Sequence, residues 1–148
     1  MPYPGLNADA DLIIKRVAQE IAKEFGLDFV GTEHILLAIL RHNKGVGADV
    51  LHGFGLDEHV VRGDVEVMMQ RAKEDTWVLG RLPGSPHYRN VVALAIDEAA
   101  QLEARDIGTE HLLLGLLREE GSTAQRVLDQ RGVTLKACRE RILKRLSS

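Results

Sequence analysis

A stretch of eleven residues occurs twice in this chain. Residues 31–41 read Gly-Thr-Glu-His-Ile-Leu-Leu-Ala-Ile-Leu-Arg and residues 108–118 read Gly-Thr-Glu-His-Leu-Leu-Leu-Gly-Leu-Leu-Arg, identical at eight of eleven positions. The separation of 77 residues holds without a gap on both sides: Ala18 aligns with Ala95, Ala22 with Ala99, Val50 with Val127, Leu51 with Leu128 and Gly55 with Gly132. Residue type is kept where identity is not, as in Ile14 with Val91, Val17 with Leu94 and Val65 with Ile142. So consistent a register marks a tandem duplication. It constrains the fold more than any other feature, because whatever one half forms the other must form too. Two copies are too few for a solenoid, and 77 residues exceeds the common helical repeat lengths. The expected architecture is one domain over 1–148 whose copies pack face to face with pseudo-twofold symmetry.

Each copy reads as four helices. The chain is 45% hydrophobic but only 4% aromatic, an interior of Leu, Val, Ile and Ala that suits packed helices better than a β-sandwich. The first helix, about 8–25, carries apolar residues at 14, 17, 18, 21, 22 and 25 and stops at Gly26. The second starts with Thr32 as N-cap and runs to about His42; it is apolar all round from Ile35 to Leu40, which predicts a buried central helix. A short third helix covers about 48–52. Asp57 then caps a fourth with Val61, Val65, Met68, Met69 and Ala72 on one face. The second copy repeats the plan over about 86–103, 109–120, 123–130 and 134–146, with Leu135, Cys138, Ile142 and Leu146 as the last stripe. No segment alternates like a strand. The expectation is all-α, eight helices in two tandem four-helix repeats. Repeat one spans about 8–74, a Gly- and Pro-bearing linker about 75–85, and repeat two about 86–146, with Ser85-Pro86 as N-cap and first residue of the fifth helix.

Composition removes several function classes. With 19 basic and 22 acidic residues the net charge is -3, against a dedicated nucleic-acid binder. The single cysteine, Cys138, excludes an intramolecular disulfide and a multi-cysteine zinc site, and its place on a buried stripe is wrong for a nucleophile. There is no Gly-x-x-x-x-Gly-Lys, no His-Glu-x-x-His and no Gly-x-Ser-x-Gly. The longest apolar runs are six residues, far short of the roughly 20 that span a bilayer, and Met-Pro-Tyr-Pro-Gly has no signal-peptide character. We therefore expect a cytoplasmic, non-catalytic protein, monomeric in isolation, with no cofactor, no metal, no nucleic-acid partner and no membrane contact.

The doubled Gly-Thr-Glu-His has two readings. In the structural one, Thr caps the helix, Gly31 and Gly108 permit a tight approach, and His34 and His111 bond a neighbouring loop. Glu33 and Glu110 then gain about 0.3–1 kcal/mol from the positive end of the helix dipole. In the functional one, each glutamate accepts a cationic group such as a guanidinium in a bidentate pair. Capping asks only for some acid in the first turn and does not demand the same string twice. A shared Glu-His metal site is disfavoured, since adjacent helical side chains point about 100° apart. The basic run Arg131 to Arg145 reads as a solvated face, and Trp77 as core covering the seam.

Gly-Thr-Glu-His followed by leucines and a Gly-bearing loop, twice, with one helix before and two after, resembles the N-terminal repeat domain of the Clp ATPase chaperones. The resemblance covers roughly Ala8 to Leu146. The second copy, with Asp97-Glu98-Ala99 and then Ile107 through Gly121, is similar to the ClpC type. It implies a module that docks adaptor proteins and receives protein substrates for a hexameric Clp ATPase ring, in cis or in trans, which unfolds them into a peptidase. The alternative is a free-standing regulator or decoy that binds the Clp ATPase, its adaptors or its substrates. In ClpC-type members each repeat forms a pocket for phosphorylated arginine, and the glutamate receives the guanidinium; by position these are Glu33 and Glu110. Thr32, Thr109, His34, His111 and Ser85 complete the candidate binding residues. The family often has a hydroxyl at the start of each repeat's first helix. Here repeat two keeps it as Ser85 and repeat one has Ala8, while Ile13 and Asn90 stand where basic residues are common. The second site is thus expected to be the better furnished.

Overall fold

A computed structural model describes residues 5–27, 30–76 and 86–146. Helix α1 begins as Ala8–Leu12, passes through a π-helical turn at Ile13–Val17 and continues as Ala18–Glu24. Then follow α2 (Thr32–His42), α3 (Val46–Gly53) and α4 (Glu58–Thr76). The second copy gives α5 (Pro86–Gln101), α6 (Thr109–Arg118), α7 (Thr123–Gln130) and α8 (Leu135–Leu146). The described residues contain no strand, only one parallel bridge between Leu6 and Ile107. None of their helices is long and apolar enough to cross a membrane. The expected linker is helical as far as Thr76; Trp77 and Ser85 lie outside the described residues, as do the side chains of Met69 and Ala72.

Local capping sets most of the helix starts. Asn7 Oδ1 accepts from the Ala10 N–H at 2.9 Å, Asp57 Oδ1 from Val60 at 2.9 Å, Ser122 Oγ from Gln125 at 3.2 Å and Thr134 Oγ1 from Ala137 at 3.1 Å. The two central helices depart from expectation. Their N-caps are Gly31 and Gly108, and the threonines are the first helical residues. The hydroxyls are engaged elsewhere: Thr32 Oγ1 accepts from Ala124 N–H at 3.2 Å, and Thr109 Oγ1 from Gly47 N–H at 2.8 Å. Ala124 and Gly47 are the second residues of α7 and α3. Each threonine therefore satisfies an orphan amide of the other copy's third helix, a reciprocal pair of ties across the pseudo-twofold axis.

The core is continuous across both copies. Ile35–Leu40 of α2 and Leu112–Leu117 of α6 are buried and pack on each other, with α3 against α6 and α7 against α2. Cys138 and Ile142 are buried on α8, but Leu143 and Leu146 are each 51% exposed, so the last stripe ends one turn early.

The two copies differ where the central helix crosses the first. A Cβ on Gly115 would lie 2.7 Å from the Val91 carbonyl oxygen of α5. The equivalent residue in the first copy is Ala38, and the equivalent carbonyl, that of Ile14, falls in the π turn. The copy with alanine carries the π turn and the copy with glycine does not.

Duplicated arginines tie the helices of each repeat. Arg41 bonds Glu24 at 2.6 Å and Glu58 at 2.7 Å, and Arg62 also reaches Glu24. Their counterparts Arg118 and Arg139 hold Glu98, only 1% exposed, at 2.8 and 2.7 Å. The basic run of the second copy is not simply a solvated face. Arg131 pairs with Asp64 at 2.7 Å and Arg145 with Asp49 at 2.5 Å, and Arg141 stacks over Phe54 at 3.8 Å, all in the first copy.

Candidate functional site

The glycine of each Gly-Thr-Glu-His is in extended backbone that any residue adopts, φ -107° and ψ 177° at Gly31 and φ -106° and ψ -176° at Gly108. Conformation does not require it; space does. A Cβ on Gly31 would overlap Glu33 Oε1, and one on Gly108 would overlap Glu110 Oε1. Each carboxylate folds back over the Cα two residues before it. The tight approach expected from sequence is made by a side chain, not by the backbone.

The histidine holds the same corner from inside. The Gly31 N–H donates to His34 Nδ1 at 2.8 Å, and the Gly108 N–H to His111 Nδ1 at 2.9 Å. This is the return half of a capping box, with imidazole in place of the usual Glu or Gln. Both rings are buried, and His34 meets Phe25 edge-to-face at 5.4 Å. Burial drives the His34 pKa down to about 4 and lowers that of His111. The histidines bond the glycine of their own turn, not a separate loop.

Glu33 is 5% exposed and Glu110 half-buried. Burial raises the Glu33 carboxyl pKa, opposed by its own backbone N–H and by the charge of His87. The carboxylates of Glu24, Asp64 and Glu98 are met by arginine. Among the described residues Glu33 has no arginine or lysine partner; besides its own backbone N–H, His34 Nε2 stands 4.0 Å from Oε2. Glu110 has no ion pair among them either. Desolvation of this kind outweighs the roughly 0.3–1 kcal/mol that a helix dipole returns. Glu33 is thus costly as a mere capping acid.

The surroundings of each glutamate come from the opposite copy. Asn7 N–H donates to Ile107 O at 2.8 Å, Ile107 N–H donates to Gly5 O at 2.8 Å, and Asn7 Nδ2 stands against Gly108. The start of α1 therefore borders Glu110. The start of α5 borders Glu33, where His87 Nδ1 meets Glu119 Oε2 at 2.5 Å and Asn90 Nδ2 donates to the same oxygen at 2.9 Å. The α5 start thus borders Glu33 and the α1 start borders Glu110, each glutamate lying against the first helix of the other copy. Ser85 itself lies outside the described residues. Thr32 and Thr109 are buried, with their hydroxyls in the ties between copies. His87 and Asn7 carry no signal in the sequence, because the 77-residue register aligns each helix start with its own copy and says nothing of the exchange.

Among the described residues no three His, Cys, Asp or Glu side chains are grouped to hold a metal ion. The buried Cys138 thiol is pushed up to about 11. What the two corners present chemically is an acceptor, a carboxylate in the first turn of a helix, deeply buried at Glu33 and half-buried at Glu110.

Both copies match the family model of the Clp repeat (R) N-terminal domain, over residues 7–83 and 84–148. The chain is 38% identical over 132 residues, 89% of its length, to the negative regulator of genetic competence ClpC/MecB of Bacillus subtilis. It is equally 38% identical over 132 residues to the chaperone protein ClpB of Oceanobacillus iheyensis, again across 89% of this chain. It spans 16% of the length of either relative. Among solved structures, the N-terminal domain of the caseinolytic protease associated chaperone ClpD from Arabidopsis thaliana is similar with a TM-score of 0.75 at 25% identity, covering 95% of this chain and 96% of that one.

Proposed function

The chain belongs to the Clp repeat (R) N-terminal domain family, and from that premise we propose that it is a protein-binding module that captures substrates or adaptor proteins for a Clp-type ATP-dependent unfoldase. Glu33 and Glu110 each receive an arginine guanidinium, phosphorylated arginine being the favoured form. The observation that carries this reading is Glu33: 5% exposed, pKa raised by burial, and without an arginine or lysine partner among the described residues. A bidentate guanidinium supplies the charge and the donors that burial took away. The two pockets are unequal. Glu33 is the more desolvated and has His87 beside it, so it dominates.

The test is titration of the folded chain with a peptide carrying one phosphorylated arginine, its unmodified counterpart, and a candidate adaptor. Glu33→Ala is expected to weaken binding of the phosphorylated peptide by about tenfold or more, as for loss of a charge-assisted pair. Glu110→Ala should weaken it less, and the double variant should abolish it. A wild-type chain with intact helicity that binds neither the peptide nor an adaptor refutes the proposal.

A further inference from the structure

Among the described residues two buried polar atoms have no hydrogen-bond partner, and they occupy the same place in both copies: Nε2 of His34 and Nε2 of His111. In each ring Nδ1 already accepts a glycine N–H, at 2.8 and 2.9 Å. The neutral imidazole therefore carries its proton on Nε2. A buried donor without an acceptor is unfavourable, and a chance defect is not expected twice at corresponding positions.

In the first copy the missing acceptor is close at hand. Glu33 Oε2 lies 4.0 Å from His34 Nε2, so a movement of about 1 Å brings it to hydrogen-bond distance. Glu33 is itself short of donors, so the same movement serves both groups. Site hydrogen bonds are often long in the free protein and tighten when the ligand arrives. In the second copy Glu110, Asp106 and Glu98 all act on the His111 ring.

We propose that His34 and His111 are positioning residues for the glutamate beside them: each donates its Nε2–H to one carboxylate oxygen, whose second lone pair stays open, when the guanidinium engages the carboxylate. The glycine amide fixes the tautomer, so no proton has to move as the ligand binds. The groups facing His34 are Gly31, Glu33 and Phe25; those acting on Glu33 are its own amide, His34 and His87. This inference rests on the guanidinium reading of Glu33 and Glu110.

The test uses the chain with Glu110→Ala, so that only the first pocket reports, and the same phosphoarginine peptide. His34→Phe keeps a flat ring against Phe25 but has no donor, and should lose about tenfold in affinity. His34→Gln can accept from Gly31 and donate to Glu33, and should recover to within about threefold of wild type. Nitrogen-15 NMR of the wild-type chain should show the Nε2–H tautomer at His34, with the Nε2–H resonance moving downfield at saturation. Equal affinity in a His34→Phe variant that melts like wild type, or an unmoved Nε2–H resonance, overturns the positioning role. Absence of peptide binding by wild type sinks the guanidinium reading and the positioning role with it, whereas peptide binding that His34→Phe leaves unchanged sinks the positioning role alone.

Discussion

At the scale of single residues, the string Gly-Thr-Glu-His divides its labour in a way its order does not announce. Gly31 leaves room for a carboxylate, Thr32 bonds the other copy, Glu33 meets no arginine or lysine among the described residues and His34 bonds back to Gly31. Since the glycine backbone is extended, Gly31→Ala should fold with a loss of only about 0.5–1 kcal/mol. The new methyl must nevertheless displace the Glu33 carboxylate, so peptide binding should fall nearly as far as in Glu33→Ala. A thermal melt and a titration on the same variant separate the two effects. The histidines also set a pH dependence. The unfolded His34 takes up a proton near 6.5, whereas the folded one resists until about 4. Stability is therefore full above 6.5 and falls as pH descends toward 4. Glu33, whose pKa is raised above 4.5 by folding, acts in the opposite sense as its carboxyl protonates. Melting curves from pH 7.5 to 4.5 should show the loss, and His34→Gln should flatten it in part, since His111 remains.

At the scale of elements, the duplication was legible because helices announce themselves locally. The 32–42 and 123–130 helices appear with the bounds the apolar periodicity predicts, and Asp57 and Thr134 cap as expected. Thr32 and Thr109 also look like N-caps, since a threonine before an apolar run is the usual signal. The hydroxyls are drawn off because the copies meet at the starts of α3 and α7, where buried amides need acceptors more than the central helices do. Thr32→Val keeps the shape and strands the Ala124 N–H, and should cost about 1–3 kcal/mol, whereas Thr32→Ser should cost less. Chemical denaturation of both variants checks this; equal stabilities would mean the tie contributes nothing. The arginine clasps were equally hidden. Arg41 and Arg62 recur as Arg118 and Arg139, but their carboxylate shifts from Glu24 to Glu98, which aligns with Ile21.

At the scale of the whole molecule, neither copy is self-sufficient. The α2 helix is buried partly by α6 and α7, and Asp64 and Asp49 find their arginines across the seam. A half of this size has too little core of its own, so residues 5–76 expressed alone should lack a cooperative melt, which circular dichroism would show directly. The same packing decides what borders the two glutamates. Asn7 reaches Gly108, and His87 comes beside Glu33, across long stretches of chain. The sequence by itself determined the helices among the described residues, the repeat and most of the buried faces, because periodicity and capping act over a few residues. Only the tertiary structure decided which helix start borders which glutamate, and that Glu33 is the more deeply desolvated of the pair. Those properties arise where segments far apart in sequence meet, and no local spacing encodes such a meeting.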